Sequence, residues 1–221
     1  MNNLTLTVGN YNYSSWSMRP WVALTAAGVA FDTQRVWLDT PTFKAQVAAN
    51  PAGKVPFLND GEFVVWETLA IIEYAYETHP AIWPAERQAR ARARSLCAQM
   101  HSGFTGLRSA MPMNIEAKLP AVGHTDAALA DAASLFALWA DALAASNGPF
   151  LFGAFCAADA YFSPVIMRLN THAVPMPPVI AAYCAAVTRH PAVQAWVERA
   201  LDERVFVAAD EPYRTAEQAG Y

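Results

Sequence analysis

Cysteine is scarce in this chain of 221 residues, and its three copies, Cys97, Cys156 and Cys184, stand far apart. Isolated cysteines in odd number, with no CxxC pair, exclude a disulfide framework and a dithiol redox motif. Each sits in an apolar, alanine-rich context, where a thiol serves as a small buried hydrophobe. Charge is sparse too: 15% of residues are charged and the formal net charge is -4. With no basic excess, a nucleic-acid partner is not expected. The main basic run, Arg87, Arg90, Arg92 and Arg94, points several ways around a helix and reads as a solvated or domain-facing surface. The five histidines fall at no ligand spacing, so no metal is expected. A Gly-rich phosphate loop, a nucleophile elbow and an internal repeat are all missing. No apolar run reaches the roughly 18 residues of a membrane span, and the first residues lack the basic start and apolar core of a signal peptide. These absences lead to the expectation of a cytoplasmic protein with no membrane partner.

What is present is apolar: 54% of residues are hydrophobic, ample for a sizeable core in one large domain or two small ones. The grammar changes near residue 80. Before it, strand-like runs (4–8, 31–38, 56–58 and 62–65) alternate with helical runs (18–27 and 67–79) and a short helix or turn at 41–49. Gly28 reads as a helix stop, and Asn59-Asp60-Gly61 as a hairpin turn. The order β-α-β-α-β-β-α implies a parallel strand pair extended by an antiparallel hairpin. Residues 80–86 form a proline-punctuated linker. After it, helical runs at 87–115, 126–146, 158–171, 178–189 and 192–204 make an all-α domain. The polar tail from Glu211 is expected to fray.

The most informative segment is Asn50-Pro51-Ala52-Gly53-Lys54-Val55-Pro56-Phe57-Leu58. A proline entering a hydrophobic strand removes a ladder donor. A cis Val55–Pro56 bond solves the geometry and turns the Val55 backbone outward. An outward N–H and C=O at a strand start pair with a peptide as an added strand does. The segment therefore suggests a site that grips a small peptide by its main chain.

In order, that segment, Glu67-Thr68-Leu69-Ala70-Ile71-Ile72-Glu73-Tyr74 and Ala158-Asp159-Ala160 resemble the glutathione transferase superfamily over nearly the whole chain. Ser14-Ser15-Trp16-Ser17-Met18-Arg19 is similar to the serine-type classes, including zeta. The resemblance implies an α/β plus all-α fold: a thioredoxin-like, glutathione-binding domain at 1–80 and an all-helical substrate-binding domain at 87–221. It implies glutathione as cosubstrate, no metal, a homodimer, and a detoxification role.

The implied site is as follows. Ser14, five residues before Arg19 as in the family, or Ser15, donates a hydrogen bond that favours the thiolate of glutathione; Tyr11 and Tyr13 are close enough to offer a phenol instead. A hydroxyl is too weak a base to remove the proton outright, but the helix start adds N–H groups and positive dipole. Ser17 suits the helix cap, and Pro20 places the helix start near it. Val55 and Pro56 correspond to the residues that hold the cysteinyl unit, and Lys54 approaches the glycine carboxylate. Glu67 and Thr68 hold the γ-glutamyl group, or simply cap a helix. Asp159 is structural, with Cys156 in the family's Ser/Thr cap position. For a small hydrophobic electrophile the candidate walls are Trp16, His101, Phe104, Arg108 and Met111, with bundle core as the alternative. Two further readings stay open: an isomerase of the maleylacetoacetate type, against which Trp16 in place of the zeta cysteine counts, and a non-enzymatic binding protein of the same fold.

Overall fold

The structure is a computed structural model and describes residues 4–221. Strand β1 (Leu4–Val8) leads through a polar loop into α1 (Ser15–Ala26). Next come β2 (Asp32–Arg35), the single turn α2 (Phe43–Gln46), the hairpin β3 (Phe57–Asp60) and β4 (Phe63–Trp66), and α3 (Thr68–Tyr76). The sheet order is β2-β1-β3-β4, with β1 parallel to β2 and antiparallel to β3. Leu6, Thr7 and Val8 are all fully buried, because β1 is a central strand covered on both faces. β2 is shorter than its β-rich sequence suggests: all four of its residues are exposed, as at a sheet edge. The hairpin turn is tighter than expected, because Asn59 and Asp60 pair with Val64 and Phe63, leaving the bend to Gly61 at φ 60°.

The second half is helical: α4 (Arg87–Ser102), α5 (Thr105–Ala110), α6 (Asp126–Ala144), α7 (Ala157–Thr171), α8 (Pro178–Thr188), α9 (Pro191–Glu203) and the short α10 (Ala216–Ala219). The expected helix over 87–115 is two helices. Gly103 and Phe104 separate them, Phe104 in the left-handed region at φ 54°. A side chain at 103 would stand 2.8 Å from the Gln99 carbonyl, which explains the glycine. By length and mean hydropathy alone, α6 is apolar enough to cross a membrane, which amends the expectation of no such run. Its buried side, Ala128, Ala132, Leu135 and Trp139, belongs to the core, and its Asp131 accepts the Leu107 N–H at 3.0 Å.

α1 is the hub, packed on β1, α3, α7 and α9. α7 is buried nearly all round, so it forms the axis of the helical half. Its start is held by Asp159, which accepts the N–H groups of Cys156 and Leu151 and the Tyr183 hydroxyl. The tail does not fray from Glu211. Glu211 is buried, takes the Tyr13 hydroxyl at 2.8 Å, and shares Arg214 with Glu116. All three cysteines are buried, and burial pushes Cys97 and Cys156 well up and Cys184 to about 12, so none is a ready nucleophile.

Candidate active site

The loop from β1 to α1 is pinned from both halves. Asn10 donates to Glu203 and accepts the Leu38 N–H; Asn12 exchanges bonds with Asn114 and Glu116. Gly9 permits the close approach that follows, since a Cβ there would lie 3.1 Å from the Ser14 side chain. The helix starts earlier than its sequence suggested. Ser14 is the N-cap position, though its side chain makes no capping bond, and Ser15 is the first helical residue. Ser17 is not the cap: its oxygen accepts the Gly9 N–H at 3.1 Å and the Ser14 hydroxyl at 2.7 Å. Among the described residues the Trp16 N–H has no partner, so it stands open at the positive end of a three-turn helix.

Pro20 therefore lies a full turn inside α1, where its missing N–H leaves the Trp16 carbonyl without its helical donor. The Thr68 hydroxyl supplies that bond at 3.0 Å. This ties the start of α3 to the start of α1 and commits the Thr68 hydroxyl as a donor. Glu67, one residue earlier, is exposed and sits at φ 70°, an uncommon position for a non-glycine that α3 and β4 hold between them.

The Val55–Pro56 bond is cis. Buried Asn50 holds the preceding turn by bonding the Lys54 carbonyl and the Ala52 N–H. Among the described residues nothing hydrogen-bonds the Val55 N–H or C=O, so both remain available at the mouth of β3.

Two adjoining cavities meet over Trp16. One, of about 290 Å³, is lined by Trp16, Asn50, Lys54, Val55, Pro56, Glu67, Thr68, His101 and Arg108. The other, of about 370 Å³, holds Tyr13, Ser14, Ser15, Trp16, Arg108, Pro112, Met113, Arg168 and Asp210. The guanidinium groups of Arg19 and Arg108 lie over the Trp16 ring, 4.4 and 5.0 Å from its centre, with the His101 ring 5.1 Å away. The His101 ring also bonds the Tyr161 hydroxyl.

Of the residues expected from sequence, Ser14, Ser15, Trp16, Lys54, Val55, Pro56, Glu67, Thr68, His101 and Arg108 are brought to these cavities. Phe104 and Met111 are not: both lie in the core and line neither cavity, and Pro112 and Met113 take the wall position. The helix break at Gly103 is the reason, since it cancels the shared face of His101, Phe104 and Arg108. Tyr11 is edge-packed on Trp196 and lines neither cavity. Tyr13 lines the larger one, but its hydroxyl is spent on Glu211; burial and that carboxylate push its pKa up.

Two charged residues of the larger cavity escaped sequence reasoning, as did its apolar neighbours Leu38 and Phe43. Arg168 projects from the core helix α7, and Asp210 comes from the tail. The signal for Arg168 was a single charge inside the apolar run Val165-Ile166-Met167-Arg168-Leu169; nothing marked Asp210. Neither Arg19 nor Arg168 has a carboxylate within salt-bridge distance among the described residues. Burial lowers Arg19 to about 10 and Arg168 to about 9, so both remain cations at neutral pH. Burial raises Asp210, with the Arg168 charge opposing. No cluster of metal-binding side chains occurs among the described residues.

Residues 13–78 match the family described as Glutathione S-transferase, N-terminal domain. A Caenorhabditis elegans protein named "Probable maleylacetoacetate isomerase" is 37% identical over 113 residues, 49% of this chain and 52% of that protein. The match thus spans about half the length of this curated relative. The fold superposes on the crystal structure of a glutathione transferase homolog from Burkholderia GL BGR1 with bound glutathione, at TM-score 0.71 and 28% identity, covering 90% of this chain and 99% of that one. It also resembles the holo structure of Maleyl Pyruvate Isomerase, a bacterial zeta-class protein, at TM-score 0.67 and 26% identity, covering 89% and 97%. With the thioredoxin-like sheet, the cis-proline, the helix-start serines and the helical second half all in place, the chain belongs to the glutathione transferase superfamily.

Proposed function

We propose that this protein binds glutathione and stabilises its thiolate for attack on an electrophile. The carrying observation is the cleft of open main-chain donors and acceptors that runs from Glu67 past Val55 to the start of α1. The γ-glutamyl end sits at Glu67 and the Thr68 N–H, its amine paired with the exposed carboxylate. The cysteinyl unit pairs with the Val55 N–H and C=O beside Pro56, and Lys54 faces the glycine carboxylate. The thiol then reaches the Trp16 N–H and the hydroxyls of Ser14 and Ser15, where a helix start favours negative charge. The electrophile occupies the larger cavity, walled by Trp16, Arg108, Pro112 and Met113.

A specific observation favours the isomerase reading as a second one. The larger cavity carries Arg108 and Arg168, which have no carboxylate within salt-bridge distance among the described residues, and it suits a substrate bearing carboxylate groups better than a wholly apolar one. In that reaction the thiolate adds to a cis carbon–carbon double bond, the resulting single bond rotates, and expulsion of the same thiolate restores glutathione and leaves the trans product. The names of the two isomerase relatives point the same way.

Calorimetric titration with glutathione tests the shared step. Binding is expected, weakened about tenfold or more in Glu67→Gln through loss of a charge-assisted bond. No heat of binding in the unaltered protein would sink both readings in favour of a non-enzymatic role. Parallel assays with an aryl halide and a cis-enone diacid then separate transfer from isomerisation. We also propose a cytoplasmic homodimer joined through the exposed β4 residues Phe63 and Trp66, which are 61% and 40% exposed.

A further inference from the structure

The serines at the start of α1 differ in what their hydroxyl protons are doing. The Ser14 hydroxyl donates to Ser17 at 2.7 Å, and Ser17 is held in place as acceptor by the Gly9 N–H. Ser14 therefore turns lone pairs, not a proton, toward the cleft, and lone pairs repel a thiolate. Ser15 is the reverse. Its oxygen accepts a bond from Arg168 Nη2 at 3.3 Å, and no acceptor for its own proton lies among the described residues. The guanidinium making that contact is held rigidly: Arg168 Nη1 donates to the Met111 and Arg108 carbonyls, and the residue is only 8% exposed. Among the described residues no carboxylate bonds it, and Asp210 offsets its charge only from beyond salt-bridge distance, so that charge acts on Ser15 at short range in a poorly solvated place. An oxygen that accepts from a cation gives up electron density, and its O–H becomes a stronger donor.

We propose that Arg168 is a positioning residue: it orients and polarises Ser15 so that the Ser15 hydroxyl, rather than that of Ser14, donates the principal hydrogen bond to the glutathione thiolate. The inference rests on the reading that glutathione places its thiol at the start of α1. The thiol proton leaves to solvent; Ser15 keeps its own proton and serves as donor throughout. The other charges facing this point are Arg19, Arg108 and Asp210, none of which bonds a serine hydroxyl here.

The pKa of the bound thiol, read from the ultraviolet absorbance of the thiolate against pH, tests this. Ser15→Ala is expected to raise it by about one pH unit, tenfold less thiolate at neutral pH, and Ser14→Ala by less than half as much. Ser15→Thr keeps the oxygen and stays near the starting value. Arg168→Lys keeps the charge but loses the contact, and raises the value; combined with Ser15→Ala it adds nothing further. A larger effect of Ser14→Ala, or an Arg168→Lys effect that persists in the Ser15→Ala background, overturns the proposal. Should Arg168→Lys fail to fold, arginine-labelled protein serves instead. The Arg168 side-chain nitrogen resonances must move with Ser15→Ala more than with Ser14→Ala, and unmoved resonances overturn the proposal. Loss of glutathione binding in the unaltered protein would instead remove the reading beneath it, and calorimetry reports that separately.

Discussion

At the scale of single residues, the site depends on small polar side chains spending their one proton in a defined direction. Thr68 illustrates this. Its hydroxyl replaces the backbone donor that Pro20 lacks, by bonding the Trp16 carbonyl. Thr68→Val keeps the shape and removes the donor, leaving that carbonyl unpaired, at a cost of about 1–2 kcal/mol. Thr68→Ser should cost far less. Pro20→Ala restores a backbone N–H at the position that bonds the Trp16 carbonyl in a regular helix, so the double variant Pro20→Ala/Thr68→Val should recover much of the loss. Urea unfolding of the four proteins checks the coupling; additive effects would refute it. A reading of single positions treats Thr68 as a ligand contact or a cap, because the pairing of residues 20 and 68 exists only once α1 and α3 lie side by side.

At the scale of elements, α7 shows how a helix start is secured without a good cap. Cys156 stands where a hydroxyl would serve; its sulfur is a weak acceptor for the Asp159 N–H, and the Asp159 carboxylate carries the stronger bonds. Burial outweighs those bonds and raises the Asp159 carboxyl to about 6. A folded-state pKa above the ordinary value means that the protonated form is the favoured one inside. Its contribution is therefore full below the unfolded value and is lost as pH rises to about 6. The stability of the protein relative to Asp159→Asn should fall across that window, by up to about 3 kcal/mol, and level off above it. Chemical denaturation from pH 4 to 7 measures this, and a difference growing with pH would show that the hydrogen bonds prevail. The structural role of Asp159 was legible in its motif. The break between α4 and α5 was not: glycine within a helical run is tolerated often enough that Gly103 alone did not end the helix.

At the scale of the whole molecule, the two halves are joined by polar bonds around the cleft as well as by core. Arg94 bonds Glu73 through two nitrogens, Trp196 donates to the Tyr11 carbonyl, and Glu203 holds Asn10 and Asn12. The tail completes this ring by bringing Glu211 to Tyr13 and Arg214 to Glu116. The outer edge at β4 is different, because Phe63 and Trp66 expose apolar surface that a second copy would cover. Sedimentation equilibrium should give twice the chain mass, and Phe63→Glu should shift the protein toward the monomer. An unaltered protein that sediments as a monomer at micromolar concentration would refute the dimer.

Local sequence by itself determined the alternation of strands and helices before residue 80, the helical character of the rest and the cis-proline turn, because turns, caps and prolines act over a few residues of chain; the superfamily came from the resemblance of whole motifs. Local sequence did not determine which residues face the cleft. Arg168 and Asp210 arrive from positions about 150 and 200 residues beyond the serines they approach. Phe104 and Met111 were expected beside the substrate and instead joined the core. Those outcomes were decided by tertiary structure, since the packing of α7 and the tail against α1 sets which side chain meets Ser15, and no local pattern encodes a contact between distant segments.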